Sequence, residues 1–158
     1  MILPMLLLLV QVAAAADPLL ARLQGRWLGS GTVLEMPAAV TLTWEWTLDG
    51  QFLRLTFNNQ MGPRRFEGHA YYRALGKGQY RGTWFDNAGM IRPIEAKQID
   101  DALVANWGTA ETERGETTYR LLPSGDLEIV DRVLSRDGTW RAFGRVTAKR
   151  VQSGLMNR

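Results

Sequence analysis

The chain contains no cysteine and a single histidine, His69, in 158 residues. The first absence excludes a disulfide framework, a thiolate metal site, a cysteine nucleophile and a lipid-modified cysteine. The second excludes a zinc site built from several histidines, and no other metal site is expected. Excess charge is also lacking. A net charge of +3 is too small to point to nucleic acid as a partner. No phosphate loop, dinucleotide fingerprint or serine nucleophile elbow occurs; Gly29-Ser30-Gly31 has the wrong flanks for the last. Asp100-Asp101 and Glu111–Glu113 are isolated loop charges, and no motif brings two carboxyl groups to one bond. What is present is ordinary globular composition, 46% hydrophobic and 22% charged, at a length that suits one domain.

Charge is missing altogether from the side chains of the first sixteen residues, MILPMLLLLVQVAAAA. The run is shorter than the ~20 residues a membrane-spanning helix needs. It ends in Ala14-Ala15-Ala16, an A-x-A pattern that suits signal peptidase, before the turn-like Asp17-Pro18. Residues 1–16 therefore read as a signal peptide, with cleavage after Ala16 and a periplasmic or secreted product. The competing reading, a buried N-terminal helix, requires a large core to surround a fully apolar segment.

From Asp17 onward the pattern is that of a short helix followed by strands. Asp17 is an N-cap, Pro18 fits the first helical position, and Leu19, Leu20 and Leu23 share a face until Gly25 stops the turn. The period then becomes two. Val40, Leu42, Trp44, Trp46 and Leu48 alternate with Thr41, Thr43, Glu45 and Thr47, and Asp49-Gly50 signals a type I′ hairpin. That turn sets Trp46 against Leu53, Trp44 against Leu55 and Leu42 against Phe57 on one face. Glu45 meets Arg54 on the other. Phe52 falls on the polar face.

Further strands are expected over Arg26–Leu34, Ala39–Leu48, Gln51–Asn58, Arg65–Ala74, Tyr80–Asp86, Met90–Ile99, Ala102–Ala110, Thr117–Leu122, Leu127–Ser135 and Thr139–Arg150. No segment is long enough for a crossover helix. The predicted fold is all-β: one antiparallel up-and-down barrel of about ten strands over residues 17–150, closed because closure removes the edges. Residues 151–158 are expected to fray.

Gly25-Arg26-Trp27 resembles the G-x-W of the lipocalins and their wider relatives, the calycins. The resemblance implies that Trp27 plugs one end of the barrel under a basic residue of the last strand. Arg150, Lys149 and Arg145 are the candidates. The longer Gly25-Arg26-Trp27-Leu28-Gly29-Ser30-Gly31-Thr32 is similar to the GxWxGxG start of nitrobindin-type barrels and of a bacterial lipocalin-like group without an agreed activity. Leu48–Leu53, Phe66-Glu67-Gly68 and Tyr80–Asp86 look like the second group. Nitrobindin-type proteins bind haem through a His near the last strand, where this chain has TWRAFGRVTAKR and no His.

The candidate site is the barrel interior. Trp44, Trp46, Leu53, Leu55, Tyr72, Trp84, Trp107 and Trp140 are expected to line it, with Trp140 sharing a face with Ala142, Gly144 and Val146. These rings either fill the barrel or line a cavity for a small apolar or amphipathic molecule. Arg92 or Arg120 is the candidate to hold a ligand carboxylate. Asp86 reads as a turn cap. His69 alternates with Glu67, Tyr71 and Arg73, and falls outside if Phe66, Gly68, Ala70 and Tyr72 face in. The leading expectation is an exported, monomeric, non-catalytic binder without a cofactor. The alternatives are a haem protein or isomerase using His69 with Glu67 and Tyr71, and a protein acting through an outer patch around Phe52 and Phe143.

Overall fold

The computed structural model describes residues 17–152. The expected signal peptide, residues 1–16, and residues 153–158 of the tail lie outside the described residues. At the start of the tail the Val151 N–H donates to Arg26 O at 2.8 Å.

The Asp17 carboxylate accepts from the Leu20 N–H at 3.0 Å and starts helix α1 (Pro18–Leu23). Pro18 sits in the first turn, where its missing N–H is no loss. Ten strands follow: β1 (Gly25–Val33), β2 (Met36–Thr47), β3 (Phe52–Met61), β4 (Arg64–Gly76), β5 (Gln79–Asp86), β6 (Ile91–Ile99), β7 (Ala102–Trp107), β8 (Gly115–Leu121), β9 (Leu127–Leu134) and β10 (Trp140–Arg150). Each pairs antiparallel with the next, and β10 pairs with β1, giving one closed up-and-down barrel. The strands match the expected ones to within a few residues. The largest shortfall is β7, which stops at Trp107 because Gly108 turns the chain with φ 87°.

The β2–β3 register is the expected one, with Leu42, Trp44 and Trp46 opposite Phe57, Leu55 and Leu53. Glu45 faces Arg54, and their side chains meet at 2.6 Å. The ladder ends at Thr47 and Phe52, one pair short of the tip. Leu48 adopts φ 51° in addition to Asp49 (56°) and Gly50 (75°), the two positive angles a type I′ turn demands.

Neighbouring strands run in opposite directions, so the turns alternate between two ends. Helix α1 shares one end with the turns after β2, β4, β6 and β8. There Leu19, Leu20, Leu23 and Trp27 are fully buried, and the Trp27 Nε1–H donates to Leu23 O at 2.9 Å. Arg150 stands directly opposite Trp27 in the ladder. Its guanidinium lies 4.1 Å from the indole centroid and donates to the carbonyls of Gln24 and Arg22. Arg150 is thus the cation on Trp27. Lys149 pairs instead with Asp126, and Arg145 with Glu128. Arg22 to Asp101 (2.6 Å) and the Tyr80 hydroxyl to Asp17 (3.1 Å) tie the helix to the β6–β7 turn and to the start of β5. This end is closed.

Two placements differ from expectation. Trp140 is on the outer surface, 41% exposed, with the Arg132 guanidinium 4.9 Å over its ring. Strands β9 and β10 pair Ala142 with Arg132 but Gly144 with Asp131, leaving Phe143 as a bulge. One extra residue inverts the alternation. Gly144, Val146 and Ala148 therefore face in, and Trp140 and Ala142 face out. The bulge also turns Phe143, expected in an outer patch, into the barrel against the core.

Candidate functional site

The interior is solid at the helix end and hollow at the other. Trp44 fills the cross-section, edge-on to Tyr119 at 5.1 Å and 5.6 Å from Tyr72. Above these two tyrosines lies a cavity of about 270 Å³. Its walls are mostly apolar: Val33, Phe57, Met61, Phe66, Trp84, Ile94, Trp107, Ile129 and Phe143. Phe66 and Trp84 stack at 6.1 Å and 15°.

Two glycines seat the cavity's indoles. A Cβ on Gly68 would overlap the Trp84 ring, and one on Gly115 would overlap the Trp107 ring. Hydrogen bonds fix the ring orientations. The Trp84 Nε1–H donates to Asp86 Oδ2 at 3.0 Å, and the Trp107 Nε1–H to Thr117 Oγ1 at 3.2 Å. Asp86 is the turn cap its sequence suggests, accepting also from the Ala88 and Met90 N–H groups at 3.0 and 3.2 Å.

Polar groups on this wall are few, and several lack partners. Asn59 is 3% exposed, and its Oδ1 accepts no hydrogen bond among the described residues. Nor does Arg92 Nε–H find an acceptor. The Arg92 guanidinium lies 5.1 Å over Trp107 and has Glu113 at 3.6 Å and Asp86 at 3.9 Å. Asp131 accepts from the Thr117 hydroxyl at 2.6 Å and faces no cation among the described residues. Burial pushes its carboxyl up to about 6. Tyr72 and Tyr119, whose hydroxyls face each other beneath it, are raised as well, also chiefly by burial.

The expected lining is thus divided by height along the barrel axis. Tyr72, Trp84 and Trp107 line the cavity. Trp44, Leu53 and Leu55 are fully buried in the solid layer, and Trp46 packs on that layer. Trp140 borders an outer hollow with Pro93 and Leu134. Of the two arginines, Arg92 reaches the cavity. Arg120 does not, since it stands beside inward Tyr119 and opposite Glu128.

His69 is on the outside. It pairs with Thr56, between inward Leu55 and inward Phe57. Its ring nitrogens meet Thr56 Oγ1 at 3.4 Å and Glu67 Oε1 at 3.2 Å. A haem ligated by His69 does not fit the interior, because the chain's one imidazole points away from it. Tyr71 pairs with Arg54 in the same outward set. No group of three His, Cys, Asp or Glu side chains suits a metal ion among the described residues. Nor is any described helix long and apolar enough to cross a membrane.

Asn59, Thr117, Tyr119 and Asp131 were not among the expected site residues. A signal for Asp131 exists, since Leu127, Ile129 and Asp131 share a face in Leu127–Leu134 and the carboxylate interrupts an apolar row. Asn59 likewise continues the row Leu53, Leu55, Phe57. Compared with known proteins, the chain matches no family model and no curated protein sequence.

Proposed function

We propose that this chain is an exported, lipocalin-like barrel that holds one small amphipathic molecule in the cavity above Tyr72 and Tyr119 without transforming it. One observation carries the reading. A mostly apolar cavity has buried polar atoms, Asn59 Oδ1 and Arg92 Nε, with no partner among the described residues. Buried polar groups are normally paired, and ligand sites are apolar hollows with a few convergent polar groups. The Gly68 and Gly115 seats support it too, because they draw two indoles back against the wall and leave the centre open. Trp27 under Arg150 supports the kinship with lipocalin-like barrels. Export rests on the apolar leader and its Ala14-Ala15-Ala16 end.

Trp84 and Trp107 report on occupancy. Their emission, titrated with fatty alcohols, retinoids and haem, is expected to change saturably at one molecule per chain for the amphiphiles. No saturable change with any of them would contradict the reading.

A further inference from the structure

We propose that the cavity is selective for an amphipathic amine, with the ligand's ammonium on Asp131 and its apolar body against Phe57, Phe66, Trp84 and Phe143. This rests on the reading of the cavity as a ligand site and adds the chemical class of the ligand.

The charges on the cavity wall are unevenly partnered. Its one cation, Arg92, already has two carboxylates in reach, Glu113 at 3.6 Å and Asp86 at 3.9 Å. An anionic head would compete with both. Asp131 is the reverse case. Thr117 Oγ1 donates to its Oδ1 at 2.6 Å, and among the described residues its Oδ2 takes no hydrogen bond and it has no cationic partner. A carboxylate in a mostly apolar wall is poorly solvated, so a donor cation is the group that relieves it best. Asn59 Oδ1, buried and unbonded in the same cavity, is a second free acceptor. The free acceptors and the uncompensated negative charge both ask for a ligand that donates hydrogen bonds. The titratable groups facing Asp131 are Tyr72 on β4 and Tyr119 on β8, both held neutral by burial. Across the cavity stand Arg92 on β6 and Glu113 in the β7–β8 turn.

The test compares octylamine, octan-1-ol and octanoate, matched in chain length, by tryptophan emission at pH 7.5. Octylamine is expected to bind about tenfold or more tighter than octanoate, and Asp131→Asn to weaken octylamine by about tenfold or more relative to octan-1-ol. A cooperative thermal unfolding transition shows that the variant is folded. If Asp131→Asn does not fold, the native chain at pH 5 decides, because protonated Asp131 then weakens octylamine and spares octanol. Equal binding of all three, or an amine affinity indifferent to both Asp131→Asn and pH, overturns the amine assignment alone. Binding of none of the three overturns the ligand site with it.

Discussion

A carboxyl set over Tyr72 and Tyr119, with a single hydroxyl to neutralise it, is harder to ionise than the same group in an unfolded chain. Its pKa rises to about 6 in the fold, from 3.8. The folded state therefore holds the proton more tightly, and this group's contribution to stability is fully present below about pH 4 and lost as pH rises through about 6. The full loss is on the order of 3 kcal/mol at most. Asp131→Asn keeps the shape and the Thr117 hydrogen bond but cannot ionise. It is expected to match the native chain near pH 3.5 and to be more stable at pH 7.5 by about 1–3 kcal/mol. Thermal melts across that range check it; an advantage independent of pH would show that Asp131 is not shielded from water. Such a cost at neutral pH accords with the role in binding proposed for Asp131.

One turn of the open end places two non-glycine residues at positive φ. Strands β1 and β2 are joined by Leu34-Glu35 with φ of 50° and 64°. A type I′ turn needs both angles positive, and Asn-Gly meets that need at far less steric cost than a branched side chain. Replacing Leu34-Glu35 with Asn-Gly is expected to raise stability by about 1–2 kcal/mol in a urea unfolding series. A lower midpoint would mean that the Leu34 side chain, which reaches the cavity, contributes more than its backbone loses. Nothing in Val33-Leu34-Glu35-Met36 announces such a turn, and the expected first strand ran on through Leu34. The Phe143 bulge was hidden for the same kind of reason. In TWRAFGRV the row Trp140, Ala142, Gly144, Val146 runs on through the slip, and an apolar Phe143 on the polar row is its one trace in the sequence. By contrast, Asp49-Gly50 and the facing rows of β2 and β3 specify their register locally, and that hairpin was legible to the residue pair.

At the scale of the barrel, alternation says which side chains point inward but not at what height they lie. Closure and stagger set the height, and they belong to all ten strands together. That is why Trp44, Leu53 and Leu55 joined Tyr72, Trp84 and Trp107 as one expected lining. The structure separates them into a solid layer and a cavity wall. The closed end was the easier half, since Trp27, its neighbouring leucines and Arg150 all lie in the first and last stretches of the barrel. The resulting molecule has one plugged end and one mostly apolar cavity at the other, with six indoles at known places. Their Nε1–H resonances report directly on whether a ligand sits inside the barrel. Titrated with an amphiphile that binds, the Trp84 and Trp107 signals are expected to shift. Trp27, plugged beneath Arg150, and Trp140, outside under Arg132, should stay in place. Movement of Trp140 or Trp27 with Trp84 and Trp107 unmoved would contradict a ligand site inside the barrel.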